Sequence, residues 1–179
     1  MLAYIIIVGA AYFLGSIPTG YLVARAKGID IRAVGSGNIG ATNAMRVLGK
    51  PAGIIVLLAD ALKGYAAVAW LCPLLMNLFN GPAARVETLR IVAGIAAVLG
   101  HNYTCWLKFK GGKGIATSAG VYFALAPLAA GIALGAWIGR QPPSATATAP
   151  PPSQGAAVLA LRPACASWMH IFAVPMWWQ

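Results

Sequence analysis

Charged residues are scarce in this sequence. Only 9% of its 179 residues are Asp, Glu, Lys or Arg, and just 3 of these are acids. Soluble domains carry about 25% charged residues, so this composition excludes an ordinary soluble domain. Hydrophobic residues make up 60% of the chain, and the mean hydropathy is +0.76. We therefore predict an all-α fold, a polytopic helix bundle that is integral to a membrane.

Cysteine is also rare. The three cysteines, Cys72, Cys105 and Cys165, lie far apart in the chain. Such spacing matches neither a disulfide framework nor a metal-binding motif. We interpret them as small apolar residues of membrane spans, and we predict that the protein binds no metal and needs no cofactor.

The charges that are present are mostly positive. The chain has 13 Lys and Arg against 3 acids, which gives a net charge of +10. In a membrane protein such an excess marks the cytoplasmic loops, but it also suits a surface that binds anionic substrates or lipids. The charges flank apolar runs and lack an aromatic-rich basic patch, which argues against nucleic acid as a partner.

Four apolar runs are long enough to cross a bilayer: 2–24, 51–71, 91–107 and 115–138. No basic residue precedes the first run, so we do not expect a cleaved signal peptide. Arg25 and Lys27 follow that run, which predicts an external N-terminus and a cytoplasmic loop after it. We expect residues 72–90 to form an external loop. A fifth apolar stretch, 156–179, could be a further span or an interfacial segment.

Two of the predicted spans contain polar features. The first includes Gly15-Ser16-Ile17-Pro18-Thr19-Gly20, which is either a simple kink or a break whose freed backbone groups need partners. The second includes Asp60 and Lys63, which lie on one helical face because they are three residues apart. This pair is either a structural ion pair or part of a polar interior.

Two basic, glycine-rich segments stand out, and alternation of the spans places both on the cytoplasmic side. The first glycine loop (residues 35–43) is followed by Arg46, and the second glycine loop (residues 108–114) contains Lys113. Backbone N–H groups in such loops bind anions, and Arg and Lys complement phosphate oxygens. We predict that the two loops form one phosphate site. The alternative is that their charges are only topological anchors.

Two segments match the residue pattern of nucleotide-binding motifs, but each lacks a feature that the motif requires. The spacing Gly35-x-Gly37-x-x-Gly40 resembles a dinucleotide fingerprint, yet that fingerprint needs a βαβ unit and this loop joins two membrane spans. Gly112-Lys113 resembles the end of a P-loop, but Gly114 stands where Ser or Thr is required. We therefore exclude a nucleotide site.

Several of these segments together resemble the bacterial acyl-phosphate:glycerol-3-phosphate acyltransferases over roughly residues 1–139. The segments that carry the resemblance are Gly15-Ser16-Ile17-Pro18, Gly35-Ser36-Gly37-Asn38-Ile39-Gly40-Ala41-Thr42-Asn43 with Arg46, Gly100-His101, and Phe109-Lys110-Gly111-Gly112-Lys113-Gly114-Ile115-Ala116-Thr117. The family has seven membrane helices. The resemblance implies an enzyme of phospholipid synthesis in the bacterial inner membrane.

The implied reaction moves a fatty acyl group from acyl phosphate to the 1-hydroxyl of glycerol 3-phosphate, which yields lysophosphatidic acid and phosphate. The implied partners are these two substrates, membrane lipid and the enzyme that makes acyl phosphate. Ser36, Lys113 and His101 are the catalytic candidates, although His101 could equally be a packed helix-end residue. The candidate phosphate-binding residues are Ser36, Gly37, Asn38, Thr42, Asn43, Arg46, Gly111, Gly112 and Lys113. The general base is not evident, since Asp30 is the one acid near the cytoplasmic loops.

The composition changes abruptly after Gly139. Residues 141–154 are rich in Pro, Ser, Thr and Ala, so we divide the chain into a membrane acyltransferase-like domain (1–139) and a divergent tail (140–179). The family carries a His-x-x-Asn-type motif in its C-terminal part, which the residues around His170 do not match. We interpret the tail as a reading-frame change or a divergent end. One alternative is therefore an acyltransferase impaired by its altered C-terminal part. Another is a transporter or channel for a phosphorylated anion, which spans with glycine breaks and polar loops would also suit.

Overall fold

A computed structural model describes residues 2–79 and 83–140 of the chain. Within these residues the fold is helical and contains no β-strand, which confirms the all-α prediction. The α-helices of this part are α1 (Leu2–Ser16), α2 (Thr19–Arg25), α3 (Ala41–Leu48), α4 (Lys50–Ala66), α5 (Cys72–Leu78), α6 (Val86–Asn102), α7 (Ile115–Leu125) and α8 (Pro127–Gly139). Residues Met1–Ala136 form one compact unit, and the packing and the site described below lie within it.

The predicted tail lies outside the described residues from residue 141 onward. This applies to its uncertain fifth span, to His170 and to the proposed reading-frame change. The domain boundary after residue 139 stays a prediction.

The first predicted span is an interrupted helix. α1 ends at Ser16, just before Pro18, because proline lacks an N–H group and disfavours helical backbone at the residue before it. The interruption takes the Ser16 and Ile17 carbonyls out of the regular helical pattern, although the Ile17 carbonyl still accepts the Thr19 N–H at 3.0 Å. Lys63 Nζ donates to the Ile17 carbonyl at 2.9 Å, and Thr104 Oγ1 donates to the Ser16 carbonyl at 2.5 Å. The break is thus satisfied by polar side chains of other segments, so it is more than a simple kink.

The second predicted span is longer than the sequence indicated. α4 runs through a π-helical turn (Ala67–Leu71) into α5, which gives a continuous helix Lys50–Leu78 of 29 residues. Pro73 does not end it and lies inside the continuous helix, directly after the π-helical turn. The expected external loop 72–90 is therefore largely helical. Lys50–Leu78 and the interrupted stretch Tyr4–Arg25 are the described helices long and apolar enough to cross a membrane.

The third and fourth predicted spans also differ in detail. α6 begins before residue 91 and ends at Asn102, and residues 103–114 form turns and the second glycine loop. The expected single span 115–138 is divided into α7 and α8. The division falls at Ala126 (φ −142°, ψ 71°), because the residue before Pro127 is pushed out of the helical region.

Glycines allow the helices that frame the site to approach closely. α1 packs against α6, and a Cβ on Gly100 of α6 would overlap the Tyr12 carbonyl of α1. α4 packs against α7 in the same way, since a Cβ on Gly120 would overlap the Ala61 carbonyl. Small residues at such crossings are typical of membrane helices, whose association depends on close packing. These two contacts hold α6 against α1 and α7 against α4.

Candidate active site

Asn43 holds the first glycine loop in shape. Its side chain is buried, with 2% exposed. The Nδ2 group donates to the carbonyls of Ile31, Val34 and Asn38 at 3.3, 3.2 and 2.9 Å, and Oδ1 accepts the Ser36 N–H at 2.9 Å. The Asn43 amide is therefore fully hydrogen-bonded to backbone groups. It holds the first glycine loop in place rather than contacting a ligand.

The glycines of the first loop serve its tight turns. Gly35 and Gly37 have φ values of 62° and 69°, which side chains other than glycine rarely adopt. The Gly37 N–H donates to the Val34 carbonyl at 3.1 Å, and the Gly40 N–H donates to Asn38 Oδ1 at 2.7 Å. These N–H groups are thus used within the loop, so the predicted anion cradle is not formed by them.

The N-terminus of α3 supplies N–H groups instead. Gly40 precedes α3 without a side-chain cap, and Ala41 and Thr42 open the helix. The first N–H groups of a helix have no partner within it, and they carry partial positive charge. Arg46, in the last turn of α3, lines the same cavity as these residues. The positive charge predicted for the first glycine loop and Arg46 is therefore supplied by the N-terminal turn of α3 and by Arg46 itself.

The glycines of the second loop pack against α6. The Gly111 N–H donates to the Asn102 carbonyl at 3.0 Å, and the Gly112 N–H donates to the His101 carbonyl at 3.1 Å. A Cβ on Gly112 would overlap Nε2 of the His101 ring. The phosphate contacts predicted for Gly111 and Gly112 would have to compete with these bonds. Because these two glycines are small, the second glycine loop packs closely on α6 and brings Lys113 next to that helix.

The structure brings the two glycine loops together at one cavity of about 350 Å³. It is lined by Ser36, Asn38, Gly40, Ala41, Thr42, Asn43, Arg46, Leu57, Asp60, His101, Lys113, Gly114, Ile115 and Ala116. All three catalytic candidates, Ser36, Lys113 and His101, are in this set. Of the candidate phosphate-binding residues, Gly37, Gly111 and Gly112 are not. Gly37 and Gly111 line a second, open groove of about 440 Å³.

Asp60 is a cavity residue that the sequence reasoning missed. It lies in α4, is 1% exposed, and forms an ion pair with Lys63 at 2.9 Å. His101 of α6 lies beside it, with Nδ1 at 3.6 Å from Asp60 Oδ1. The sequence offered one signal for this arrangement, the pair of ionisable residues inside an apolar run.

Asp30, the acid expected near the cytoplasmic loops, lies in the second groove instead. Arg32 donates to its carboxylate through Nε at 3.0 Å and Nη2 at 2.7 Å. These hydrogen bonds, first from the Arg32 side chain and then from its backbone, lower the pKa of Asp30 to about 2. Asp30 thus forms an ion pair with Arg32 and lies outside the cavity.

The fold and the cavity define a class: a helical membrane protein with a cationic pocket between two glycine loops. The family model described as glycerol-3-phosphate acyltransferase matches residues 5–143, and the chain belongs to that family. Similar curated proteins are the glycerol-3-phosphate acyltransferases of Geobacter metallireducens (52% identical, 72% of this chain and 62% of that protein) and Geobacter sulfurreducens (50% identical, 78% and 67%). The chain therefore spans about three fifths of the length of the first of these relatives.

Solved structures agree with this assignment. The chain is similar to crystal structures of PlsY (YgiH), an integral membrane glycerol 3-phosphate acyltransferase. The glycerol 3-phosphate form matches with a TM-score of 0.64 and 40% identity, over 76% of this chain and 64% of that one. The lysophosphatidic acid form matches with a TM-score of 0.63 and 39% identity, over 76% and 63%. The helical membrane fold is thus shared, and the resemblance inferred from the sequence is confirmed.

Proposed function

We propose that this protein transfers a fatty acyl group from acyl phosphate to the 1-hydroxyl of glycerol 3-phosphate, giving lysophosphatidic acid and phosphate. The observation that carries the proposal is the convergence of Arg46, Lys113 and the N-terminus of α3 on one cavity. Both substrates bear phosphate, so a pocket with two cations and a helix N-terminus suits them. Membership of the glycerol-3-phosphate acyltransferase family supports the same reaction.

Phosphate recognition is divided between two kinds of group. Arg46 presents a planar fork to two phosphate oxygens, whereas Lys113 presents a compact charge. The N–H groups of Ala41 and Thr42 add fixed dipoles at the start of α3. The Ser36 N–H is already held by Asn43, so the Ser36 hydroxyl is the group that would reach a phosphate oxygen.

The chemical step needs charge stabilisation at two places. The attacked acyl carbonyl becomes an oxyanion, and the leaving phosphate gains negative charge as the acyl C–O bond breaks. Fixed cations and N–H dipoles stabilise both without rearranging during the reaction. Lys113 and Arg46 would serve the phosphate, and holding both reactants in one small cavity supplies proximity.

One wall of the cavity is apolar and leads towards the outside of the helix bundle. Leu57 of α4 and Ile115 of α7 line the cavity while 43% and 76% of their surfaces remain exposed. In a membrane protein such exposed apolar residues face lipid. An acyl chain could therefore lie in the lipid while its phosphate end occupies the cavity.

The membrane arrangement we propose has four spans in residues 1–139, an external N-terminus and both glycine loops on the cytoplasmic side of the bacterial inner membrane. The basic residues that follow the first span support this orientation. An enzyme that produces acyl phosphate would be a functional partner on that side.

The test is phosphate release from palmitoyl phosphate and glycerol 3-phosphate by the purified protein in lipid. We expect activity in the wild type and a loss of about 100-fold in kcat/KM for Lys113→Ala and Ser36→Ala, because each removes a group that stabilises developing charge. Lys50→Ala is the matched control, since Lys50 is exposed at the start of α4 outside the cavity. Its activity should equal that of the wild type.

Other outcomes would point to the alternative functions. Absence of product together with uptake of glycerol 3-phosphate into liposomes would identify a transporter. Absence of both would identify an impaired acyltransferase. Equal losses in Lys50→Ala and Lys113→Ala would show that general charge, not the cavity, controls activity.

A further inference from the structure

The second groove is a feature of the fold that the proposed reaction does not use. Its volume of about 440 Å³ is in the range of small-molecule binding sites. Arg32 and Lys110 line it from two segments of the chain, and Gly37 and Gly111 line it without side chains of their own. The sequence indicated phosphate contacts for both glycines, yet both lie in this groove and not in the cavity.

The two glycine loops separate the groove from the cavity. In the first loop, Ser36 and Asn38 line the cavity, whereas Gly37 between them lines the groove. In the second loop, Lys113 lines the cavity, whereas Lys110 lines the groove. The same loops thus form a wall of both sites, and a molecule in the groove leaves the cavity free.

The guanidinium of Arg32 is held in one orientation. Its Nε and Nη2 groups donate to the Asp30 carboxylate at 3.0 and 2.7 Å, and its Cζ atom lies 4.8 Å from the centre of the Tyr21 ring. An arginine has five N–H donors, and Asp30 takes two of them. Within the described residues, Nη1 donates to no protein acceptor. Arg32 is therefore fixed in place and keeps N–H groups for a molecule in the groove.

Lys110 supplies a second cation without a counter-ion. Asp30 pairs with Arg32, Asp60 pairs with Lys63 and lies beside His101, and Glu87 pairs with Arg90. In the described part of the chain, Lys110 therefore forms an ion pair with none of these acids. Its side chain is exposed, so the ammonium is free to turn towards an anion.

The charges around the groove favour an anion with more than one negative charge. Hydrogen bonds from Arg32 are the main cause of the lowered pKa of Asp30, and the charge of Arg25 adds to the effect, so Arg25 also acts on this region. Arg25, Arg32 and Lys110 thus outweigh Asp30. A terminal phosphate group carries about −1.5 to −2 charge at pH 7, and a planar guanidinium with a compact ammonium complements its oxygens.

We propose that the second groove is a separate phosphate-binding site, in which Arg32 Nη1 and Lys110 Nζ donate to the oxygens of a terminal phosphate group. This inference goes beyond the proposed function, since it concerns a second site outside the cavity. Two sources offer such a group: a free molecule, either inorganic phosphate or glycerol 3-phosphate, and the headgroup of phosphatidic acid in the membrane.

The experiment measures how fast each lysine of the wild-type protein reacts with an amine-acetylating reagent, followed by mass spectrometry. The protein is held in phosphatidylcholine discs with inorganic phosphate, glycerol 3-phosphate or sodium chloride at equal ionic strength. A second set of discs contains phosphatidic acid without free phosphate, and a third contains phosphatidylglycerol, which has negative charge but no terminal phosphate.

We expect Lys110 to react about tenfold more slowly when phosphate is bound, because the reagent needs the uncharged amine and a nearby dianion favours the ammonium. Lys50 is the internal control, since it is exposed and lines neither the cavity nor the groove. Its rate should be the same in all phosphatidylcholine discs. Protection of Lys110 by soluble phosphate would identify a free molecule as the ligand, and protection by phosphatidic acid alone would identify the lipid headgroup.

Two variants locate the bound phosphate. Asp30→Asn/Arg32→Gln removes the guanidinium without changing the net charge, and the new amide oxygen can still accept the Arg32 backbone N–H that Asp30 Oδ1 accepts at 3.1 Å. This variant should lose the protection of Lys110. Lys113→Ala removes a cation of the cavity and should keep that protection.

Three results would overturn the second site. Lys110 would react at one rate in every condition, or its protection would survive in Asp30→Asn/Arg32→Gln, or it would disappear in Lys113→Ala, which would place the phosphate in the cavity. Protection of Lys110 in a wild type that transfers no acyl group would overturn only the proposed function and leave the second site standing.

Discussion

Replacing Asn43 by Asp tests whether one buried amide holds the first glycine loop. The change keeps the size of the side chain but replaces the Nδ2 donor by an oxygen. Three backbone carbonyls, those of Ile31, Val34 and Asn38, lose their donor at distances of 2.9–3.3 Å. The Ser36 N–H keeps an acceptor. The substitution therefore removes the donors and keeps the acceptor, and it also places a carboxylate at a buried position.

The magnitude follows from the number of lost bonds. A hydrogen bond contributes about 1 kcal/mol to stability. The Asn43 amide has two hydrogens to share among the three carbonyls, so their loss costs about 2 kcal/mol, with further cost where an oxygen faces an oxygen. For a chain of this size about 2 kcal/mol lowers Tm by roughly 4–8 °C. Because the loop carries Ser36 and leads into α3, phosphate release should fall as well.

The assay is thermal unfolding in lipid or detergent, combined with phosphate release. Asn77→Asp is the matched control, because Asn77 is exposed in α5 and lines neither the cavity nor the second groove. It introduces the same charge and should leave Tm and activity unchanged. If Asn43→Asp matched this control in both measurements, the loop would be held by something other than the Asn43 amide.

Two further predictions concern packing and charge. Gly120→Leu should lower Tm strongly, because its side chain would collide with the Ala61 carbonyl of α4. Gly131→Leu should have little effect on Tm, because among the described residues an added Cβ meets no atom within 4 Å beyond its own stretch of helix. The Asp30 carboxyl should titrate near pH 2 by NMR, and Arg32→Ala should return its midpoint towards 3.8. Because the folded-state pKa is lowered, the stabilisation from this pair is present above about pH 4 and lost as pH falls towards 2. A midpoint that stayed near 2 in Arg32→Ala would show that Arg32 is not the cause.

The apolar wall of the cavity bears on how the two substrates meet. Glycerol 3-phosphate is water-soluble, whereas a long-chain acyl phosphate partitions into the membrane. In the proposed reaction, a cavity with cations on one side and the partly exposed Leu57 and Ile115 on another would accept the first from the aqueous side and the second from the lipid. This division agrees with the proposed topology, in which both glycine loops lie at the same membrane face.

Much of this protein could be predicted from its sequence because a membrane constrains a chain strongly. Lipid cannot hydrogen-bond the backbone, so the scarcity of charge and the long apolar runs were enough to predict an all-α membrane protein. The glycine loops with Arg46 and Lys113 also stood out, since glycine and positive charge are otherwise separated from the apolar runs. These signals are local, and the family comparisons confirm the assignment they suggested.

Other features were decided only by the tertiary structure. Asp60 and His101 are far apart in sequence, and their meeting depends on how α4 packs against its neighbours. The role of Gly112 depends on the position of the His101 ring. Periodicity and composition describe which residues avoid lipid, but they do not encode which helix faces which. The sequence thus determined the membrane fold and the cationic loops, whereas helix packing decided that a buried acid shares their cavity.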